Sequence, residues 1–197
     1  CGDTGAGKMP EPETLLNYIL RECACEKDMK GLKVLVTAGP TQEAIDPVRY
    51  ITNHSSGKMG YAIAKMAMLR GADVTLVSGR TALAPPPFVR VVPVVTARDM
   101  YEAVTSVSQE QDIIIKAAAV ADYRPASVSD EKIKKKDDDM SIALERTDDI
   151  LKYLGEHKPD GQFLCGFSME TENMIGNSRA KLGKKHGAKT VALAGAL

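Results

Sequence analysis

The residues best suited to chemistry lie in the run Asn53-His54-Ser55-Ser56-Gly57-Lys58-Met59-Gly60. Small side chains at the entry to a helix let backbone amides approach an anion at the positive helix end. A serine-capped helix with a glycine packed on a sheet uses the same residues, so the run alone leaves both readings open. Arg49 and Asn53, two planar hydrogen-bonding side chains just upstream in the same loop, favour the anion site. A second candidate is Ala117-Ala118-Ala119-Val120-Ala121-Asp122-Tyr123-Arg124, where small residues would let a base or an acyl chain lie flat on the backbone. Asp122 has the chemistry for a ribose or Mg²⁺, and equally for capping a turn. A third is the lysine group Lys132, Lys134, Lys135 and Lys136, followed by Asp137, Asp138 and Asp139. Such a run is ordinarily a solvated face, yet lysine is a flexible point charge that suits a clamp on polyphosphate.

Other motifs narrow the choice by failing. Gly2 to Lys8 spells G-x4-G-K, but Met9 stands where a P-loop needs Ser or Thr, no strand precedes it, and Pro10 and Pro12 follow. A dinucleotide-binding fold places an acid about 20 residues beyond its glycines. Here Val77-Ser78-Gly79-Arg80 ends the second strand with no acid, which argues against NAD and leaves NADP open through Arg80. His54, His157 and His186 match no metal spacing, and no G-x-S-x-G elbow supports serine-hydrolase chemistry.

The elements that must position these groups read as alternating strands and helices, the pattern of a parallel sheet covered on both faces. Strands are expected at Val34 to Val36, Val74 to Ser78, Val91 to Val95, Asp112 to Ala117, Phe163 to Phe167 and Thr190 to Ala194. Met59, Ala62, Ile63, Met66 and Ala67 share one helical face between Lys58 and Arg70, and Gly71 ends that helix. Thr96 with Asp99 marks a capped helix start, and Met100, Ala103, Val104 and Val107 form its buried face. Thr147-Asp148-Asp149 starts another helix, and one more is expected from Glu172 to His186. Two segments interrupt the alternation, residues 40 to 57 and 121 to 140. Both follow strand C-terminal ends, where open α/β sheets bind ligands. The expected fold is therefore α/β, a Rossmann-like three-layer domain with a mainly parallel central sheet flanked by helices.

Composition sets the outer bounds. The 197 residues carry 26 Lys plus Arg against 26 Asp plus Glu, so no global field steers the chain to nucleic acid or an anionic membrane. No apolar run approaches the roughly 20 residues of a membrane span. Cys1, Cys23, Cys25 and Cys165 lack zinc spacing and read as reduced thiols of a cytoplasmic protein. The chain starts on Cys1 without Met, which suggests a cut from something longer.

The run Asp46-Pro47-Val48-Arg49-Tyr50-Ile51-Thr52-Asn53-His54-Ser55-Ser56-Gly57-Lys58-Met59-Gly60 resembles the signature of phosphopantothenoylcysteine synthetase. The resemblance continues at Ala118-Ala119-Val120-Ala121-Asp122-Tyr123, at Glu131-Lys132-Ile133-Lys134-Lys135 and at Gly166-Phe167-Ser168-Met169-Glu170-Thr171. The opening Cys1-Gly2-Asp3-Thr4-Gly5-Ala6-Gly7-Lys8-Met9-Pro10 is similar to the substrate clamp of the flavin-dependent decarboxylase that precedes the synthetase in bifunctional bacterial proteins. Cys1 would match that enzyme's catalytic cysteine.

The resemblance implies residues 1–30 as clamp remnant plus linker, and residues 31–197 as a nucleotide-binding synthetase domain that is C-terminally incomplete. It further implies a ligase of coenzyme A biosynthesis. CTP, with Mg²⁺, would activate 4′-phosphopantothenate as an acyl-cytidylate, and cysteine would then form the amide. FMN would belong only to the absent decarboxylase domain. Gly39, Ser55, Ser56 and Gly57 would approach phosphates, while Asp122, Lys132, Gly166 and Phe167 would hold the nucleotide. Asn53 and Lys132 would act catalytically, Asn53 and Ala118 would meet substrate, and Arg49 would contact the substrate phosphate or support its loop. A homodimer is expected, with higher assembly in the bifunctional protein and neither nucleic acid nor membrane as partner. An NADP-dependent oxidoreductase and an inactive nucleotide-binding module are the alternatives.

Overall fold

The computed structural model describes residue 7, residues 9–135 and residues 139–167. Its elements run α1 (Pro12–Cys23), β1 (Lys33–Ala38), β2 (Gln42–Ala44), β3 (Tyr50–Thr52), α2 (Lys58–Leu69), β4 (Asp73–Ser78), β5 (Arg90–Pro93), α3 (Ala97–Thr105), β6 (Ile113–Lys116), β7 (Tyr123–Pro125), β8 (Leu144–Arg146), α4 (Ile150–His157) and β9 (Phe163–Gly166). The expected Glu172 to His186 helix and Thr190 to Ala194 strand lie outside the described residues.

The central sheet has the order β5-β4-β1-β6-β9, and every pairing in it is parallel. β1 is buried from Val34 to Ala38 because helices cover both faces of the sheet. Its side chains alternate between two cores, as the strand period of two requires. Val34, Val36 and Ala38 join Ala64, Ala67 and Met68 of α2. Leu35 points the other way, into a core with Met100 and Val104 of α3 and Ile150 and Leu154 of α4. The three expected layers follow directly from this alternation.

Helix starts are set by specific caps. Thr96 accepts from Asp99 N while the Asp99 carboxylate accepts from Thr96 N, a closed capping box for α3. At α4 the expectation shifts by two residues. Asp149 is the cap, accepting from Lys152 N at 2.9 Å, whereas the Thr147 hydroxyl donates to Ala121 O at 2.6 Å. Gly71 takes φ 94° just after α2, in line with its expected terminating role.

Three features were absent from the sequence expectation. Residues expected to be only linker carry α1, which buries none of its residues and is held by Tyr18 edge-on to Phe88 and Arg21 over the same ring. The first long connection contains an antiparallel pair, β2 with β3, and the second carries β7, which pairs antiparallel with β8 just beyond it.

Gly60 sets how closely α2 lies on β1. A Cβ there would fall 2.5 Å from Ala38 Cβ and 2.9 Å from Thr37 O, so the helix would have to lift off the strand. Gly60→Ala should therefore destabilise the fold by about 1–3 kcal/mol, as overpacking does. Urea unfolding tests this, and an unchanged midpoint would contradict the close packing.

Candidate functional site

The chain runs outward from β1 through β4 to β5, then crosses back to begin β6 on the other side of β1. Strand order thus reverses between β1 and β6, the place where open α/β sheets form a ligand crevice beyond the strand ends. On the β1 side, the strand turns at Gly39 (φ 73°) and α2 begins at Gly57 (φ 76°). These conformations favour glycine, and space demands it too. A Cβ on Gly57 would lie 3.3 Å from Gly39 N, and one on Gly79 would lie 2.0 Å from Pro40 O. No side chain caps the start of α2. Ser55 Oγ accepts from Gly57 N at 3.4 Å and Ser56 Oγ from Lys58 N at 3.5 Å, both long bonds that leave the hydroxyls lying over the helix entrance.

The loop ahead of this entrance is fastened at three points. Gln42 N donates to Val95 O, and buried Glu43 accepts from Ala97 N at the start of α3, so β2 is pinned to α3. Buried Asp46 accepts from Val48 N, Arg49 N, the Arg49 guanidinium and Ile133 N. Arg49 Nη2 also donates to Ile133 O at 2.8 Å. Asp46 and Arg49 therefore join the first long loop to the lysine-bearing segment of the second. Asn53 makes the third link, its amide donating to Val120 O at 3.1 Å.

Beyond β6 lies a cavity of about 480 Å³ between the ends of β6 and β9 and the start of α4. Ala118, Asp122, Gly166 and Phe167 line it, together with Lys116, Arg146, Asp148 and Asp149. Three carboxylates and two cations thus face one opening.

The structure divides the expected site residues into three groups. Gly39, Ser55, Ser56 and Gly57 gather at the β1–α2 junction, and Ala118, Asp122, Gly166 and Phe167 at the cavity. Asn53 spans between them, while exposed Lys132 sits next to the tethered Ile133. Arg49 has its guanidinium bonded to Asp46 and Ile133, the geometry of a loop support. Cys1 lies outside the described residues. Lys116 and Arg146 were not anticipated. The available signal for Lys116 was a lone cation closing the apolar strand Ile113-Ile114-Ile115, and Arg146 had none.

A parallel five-stranded sheet with this reversal, and a glycine-built helix entrance beside it, defines a Rossmann-like α/β domain. Comparison with known proteins makes the assignment specific. The chain belongs to the DNA/pantothenate metabolism flavoprotein C-terminal domain family, whose model matches residues 29–193. It is 46% identical over 189 residues to the coenzyme A biosynthesis bifunctional protein CoaBC of Escherichia coli strain K12, covering 94% of this chain and 47% of that protein. Identity to the Bacillus subtilis strain 168 protein of the same name is 48%, covering 94% of this chain and 46% of that protein. The chain thus spans about half the length of the curated relatives it matches. A crystal structure of the C-terminal domain of CoaBC aligns with a TM-score of 0.73 at 52% identity, covering 83% of this chain and 78% of that one.

The Arg49 guanidinium holds the Asp46 carboxyl well below the usual carboxylate range, helped by the Val48, Ile133 and Arg49 amides and opposed by burial. A depressed folded-state value contributes stability above the unfolded pKa of about 3.9, and that contribution fades as pH falls through the folded value. Asp46→Asn should therefore lower the urea midpoint most near neutral pH, with the deficit shrinking below about pH 4. A deficit that stays constant or grows in acid would contradict the assignment.

Proposed function

We propose that the chain is a phosphopantothenate–cysteine ligase, the synthetase half of a coenzyme A biosynthesis protein. The observation that carries this reading is the bond from Asn53, four residues ahead of Gly57, to the carbonyl of Val120, which lines the cavity with Gly166 and Phe167. Such a stretch suits a triphosphate at the glycine junction and a nucleoside at the cavity, with an acyl group between them. Membership of a family whose full-length relatives are coenzyme A biosynthesis proteins supplies the substrates.

A carboxylate resists attack by an amine because of its charge and resonance, so it must first be activated. In the proposed reaction the 4′-phosphopantothenate carboxylate attacks the α-phosphorus of CTP, forming an acyl-cytidylate and releasing pyrophosphate. The amine of cysteine then attacks the acyl carbon, loses a proton and displaces CMP. Catalysis of this kind rests on positioning and on stabilising charge where it develops. Lys132 is assigned to the charge that builds as pyrophosphate leaves. Asn53 is neutral and already fixed through its amide, and it is assigned to orienting the acyl phosphate. Asp122 and the Gly166-Phe167 backbone are assigned to the nucleoside, and Ala118 to close approach of the acyl chain. Arg49 is assigned a supporting role through Asp46.

Mg²⁺ fits this site in a particular way. An ion of this kind arrives on phosphates and keeps several waters, so one or two carboxylates suffice to hold it. Asp122 and Asp148 are the cavity carboxylates suited to hold it, since Asp149 caps α4. When bound, Mg²⁺ would screen the phosphate charges. FMN belongs to the decarboxylase half and has no role here. A homodimer is part of the proposal, supported by exposed Val48, Tyr50, Tyr123 and Leu144 on the two hairpins, which suit cover by a second chain. Cytoplasmic location is proposed with the substrates, and no helix among the described residues is long and apolar enough to cross a membrane.

The two half-reactions should separate by mutation. Lys132→Gln should cut CTP-dependent pyrophosphate release by about 100- to 1,000-fold, the range found on removing one positioned donor. Asn53→Asp should leave release measurable and slow amide formation, so that acyl-cytidylate accumulates in mass spectra. Accumulation in the lysine variant instead would reverse the two roles. Wild-type turnover in both would remove these residues from the site.

A further inference from the structure

The glycine junction does not hold itself in place. Thr81, in the loop after β4, presses its methyl group against both glycines at once: a Cβ on Gly39 would lie 2.8 Å from Thr81 Cγ2, and one on Gly57 2.7 Å. The same side chain opens a line of hydroxyl groups. Leu83 N donates to Thr81 Oγ1 at 3.3 Å, and Thr81 Oγ1 donates to Tyr61 Oη at 3.1 Å. Tyr61 Oη lies 3.1 Å from Ser78 Oγ, which donates to Gly79 O at 2.8 Å. With Tyr61 donating onward to Ser78, each hydroxyl accepts one hydrogen bond and donates one. The line is complete, and its far end returns to the junction, where Gly79 is packed against Pro40.

We propose that Thr81 and Tyr61 are positioning residues for the nucleotide, setting through this hydroxyl line the backbone of Gly39, Pro40 and Gly57 that faces the triphosphate. The proposal rests on the ligase reading for the identity of the ligand, though not for the mechanics. Three separate elements meet here: Tyr61 comes from α2, Ser78 from the end of β4, and Thr81 from the loop beyond it. A helix entrance with no side-chain cap and two left-handed glycines has little intrinsic preference for one geometry. The Thr81 methyl group limits how far Gly39 and Gly57 can move apart or together, and the hydroxyl line fixes where that methyl sits. The line also fills the end of β4, the position where a dinucleotide-binding fold receives its adenosine ribose. Ser78 is buried, with its donor and one acceptor position engaged in the line, which favours a nucleotide running from this junction toward β6 and β9.

The test uses Thr81→Val, which keeps the shape and removes the hydroxyl, Thr81→Ser, which restores it, and Tyr61→Phe. In the protein without ligand, amide hydrogen exchange at Gly39, Gly57 and Lys58 should rise about tenfold in the valine and phenylalanine variants, the size of one hydrogen bond. Exchange in β6 should be unchanged, and the serine variant should return toward wild type. In turnover, KM for CTP should rise about tenfold in the same two variants while KM for cysteine holds. Unchanged exchange at the junction overturns the proposal, as does an equal rise in β6. If the wild-type protein turns over and KM for CTP is unaffected, the proposal is likewise overturned. If the wild-type protein releases no pyrophosphate, the ligase reading fails, and the exchange measurement alone decides the positioning claim.

Discussion

A carboxylate removed from water must be matched by donors, and the buried carboxylate of Asp46 organises most of the candidate site by that rule. Its donors come from its own turn, from Arg49, and from Ile133 more than eighty positions along the chain. Neither long loop has a hydrophobic core of its own. Among the described residues the first carries the three-residue strands β2 and β3, and the second carries β7, paired with β8 just beyond it, too little to be stable in isolation. Satisfying Asp46 therefore requires the loops to come together, and their meeting brings the Lys132 segment against the Asp46–Arg49 turn. Arg49 completes the arrangement by bonding the Ile133 carbonyl that its own partner's amide leaves exposed.

The crevice itself is governed by a different constraint, the absence of side-chain volume. Gly39, Gly57, Gly60 and Gly79 allow β1, α2 and the end of β4 to approach more closely than any Cβ would permit. Such closeness presents backbone amides rather than side chains at the helix entrance, the arrangement suited to a large, highly charged anion. It also leaves little to hold the geometry, which is why the Thr81–Tyr61–Ser78 hydroxyl line matters. The polar latch at Asp46 thus fixes the loop ahead of α2, the hydroxyl line fixes the glycine junction, and Asn53 ties the end of that loop to Val120 beyond β6.

What was legible in the sequence was what local pattern controls. The strands at Val34, Val74 and Ile113 show as apolar runs because both sheet faces are covered, and the Thr96–Asp99 box marks its helix without tertiary help. The helix entrance at Gly57 was also readable, since glycine and serine in that order carry a direct conformational meaning. The short hairpins were not, because Asp46-Pro47 marks a turn without marking the three-residue strands beside it, and β2 is held from outside by Val95 and Ala97. Helix α1 carries Pro12 in its first turn and apolar Leu15, Leu16, Ile19 and Leu20, yet it buries none of them, so its pattern does not mark a core element. Arg49 illustrates the deeper limit. Sequence identifies a planar cation beside a candidate site, while only the fold reveals that Asp46, three residues earlier, is buried and claims it.

In the proposed reaction a carboxylate is activated at the α-phosphorus of a nucleotide bound beyond the ends of the central strands. That claim can be read from the fate of one oxygen atom. With 4′-phosphopantothenate labelled with ¹⁸O in its carboxylate, turnover in the presence of CTP and cysteine should deliver one labelled oxygen to CMP. Pyrophosphate should leave unlabelled. Label in inorganic phosphate or pyrophosphate, with none in CMP, would place the attack elsewhere on the triphosphate and contradict the acyl-cytidylate route.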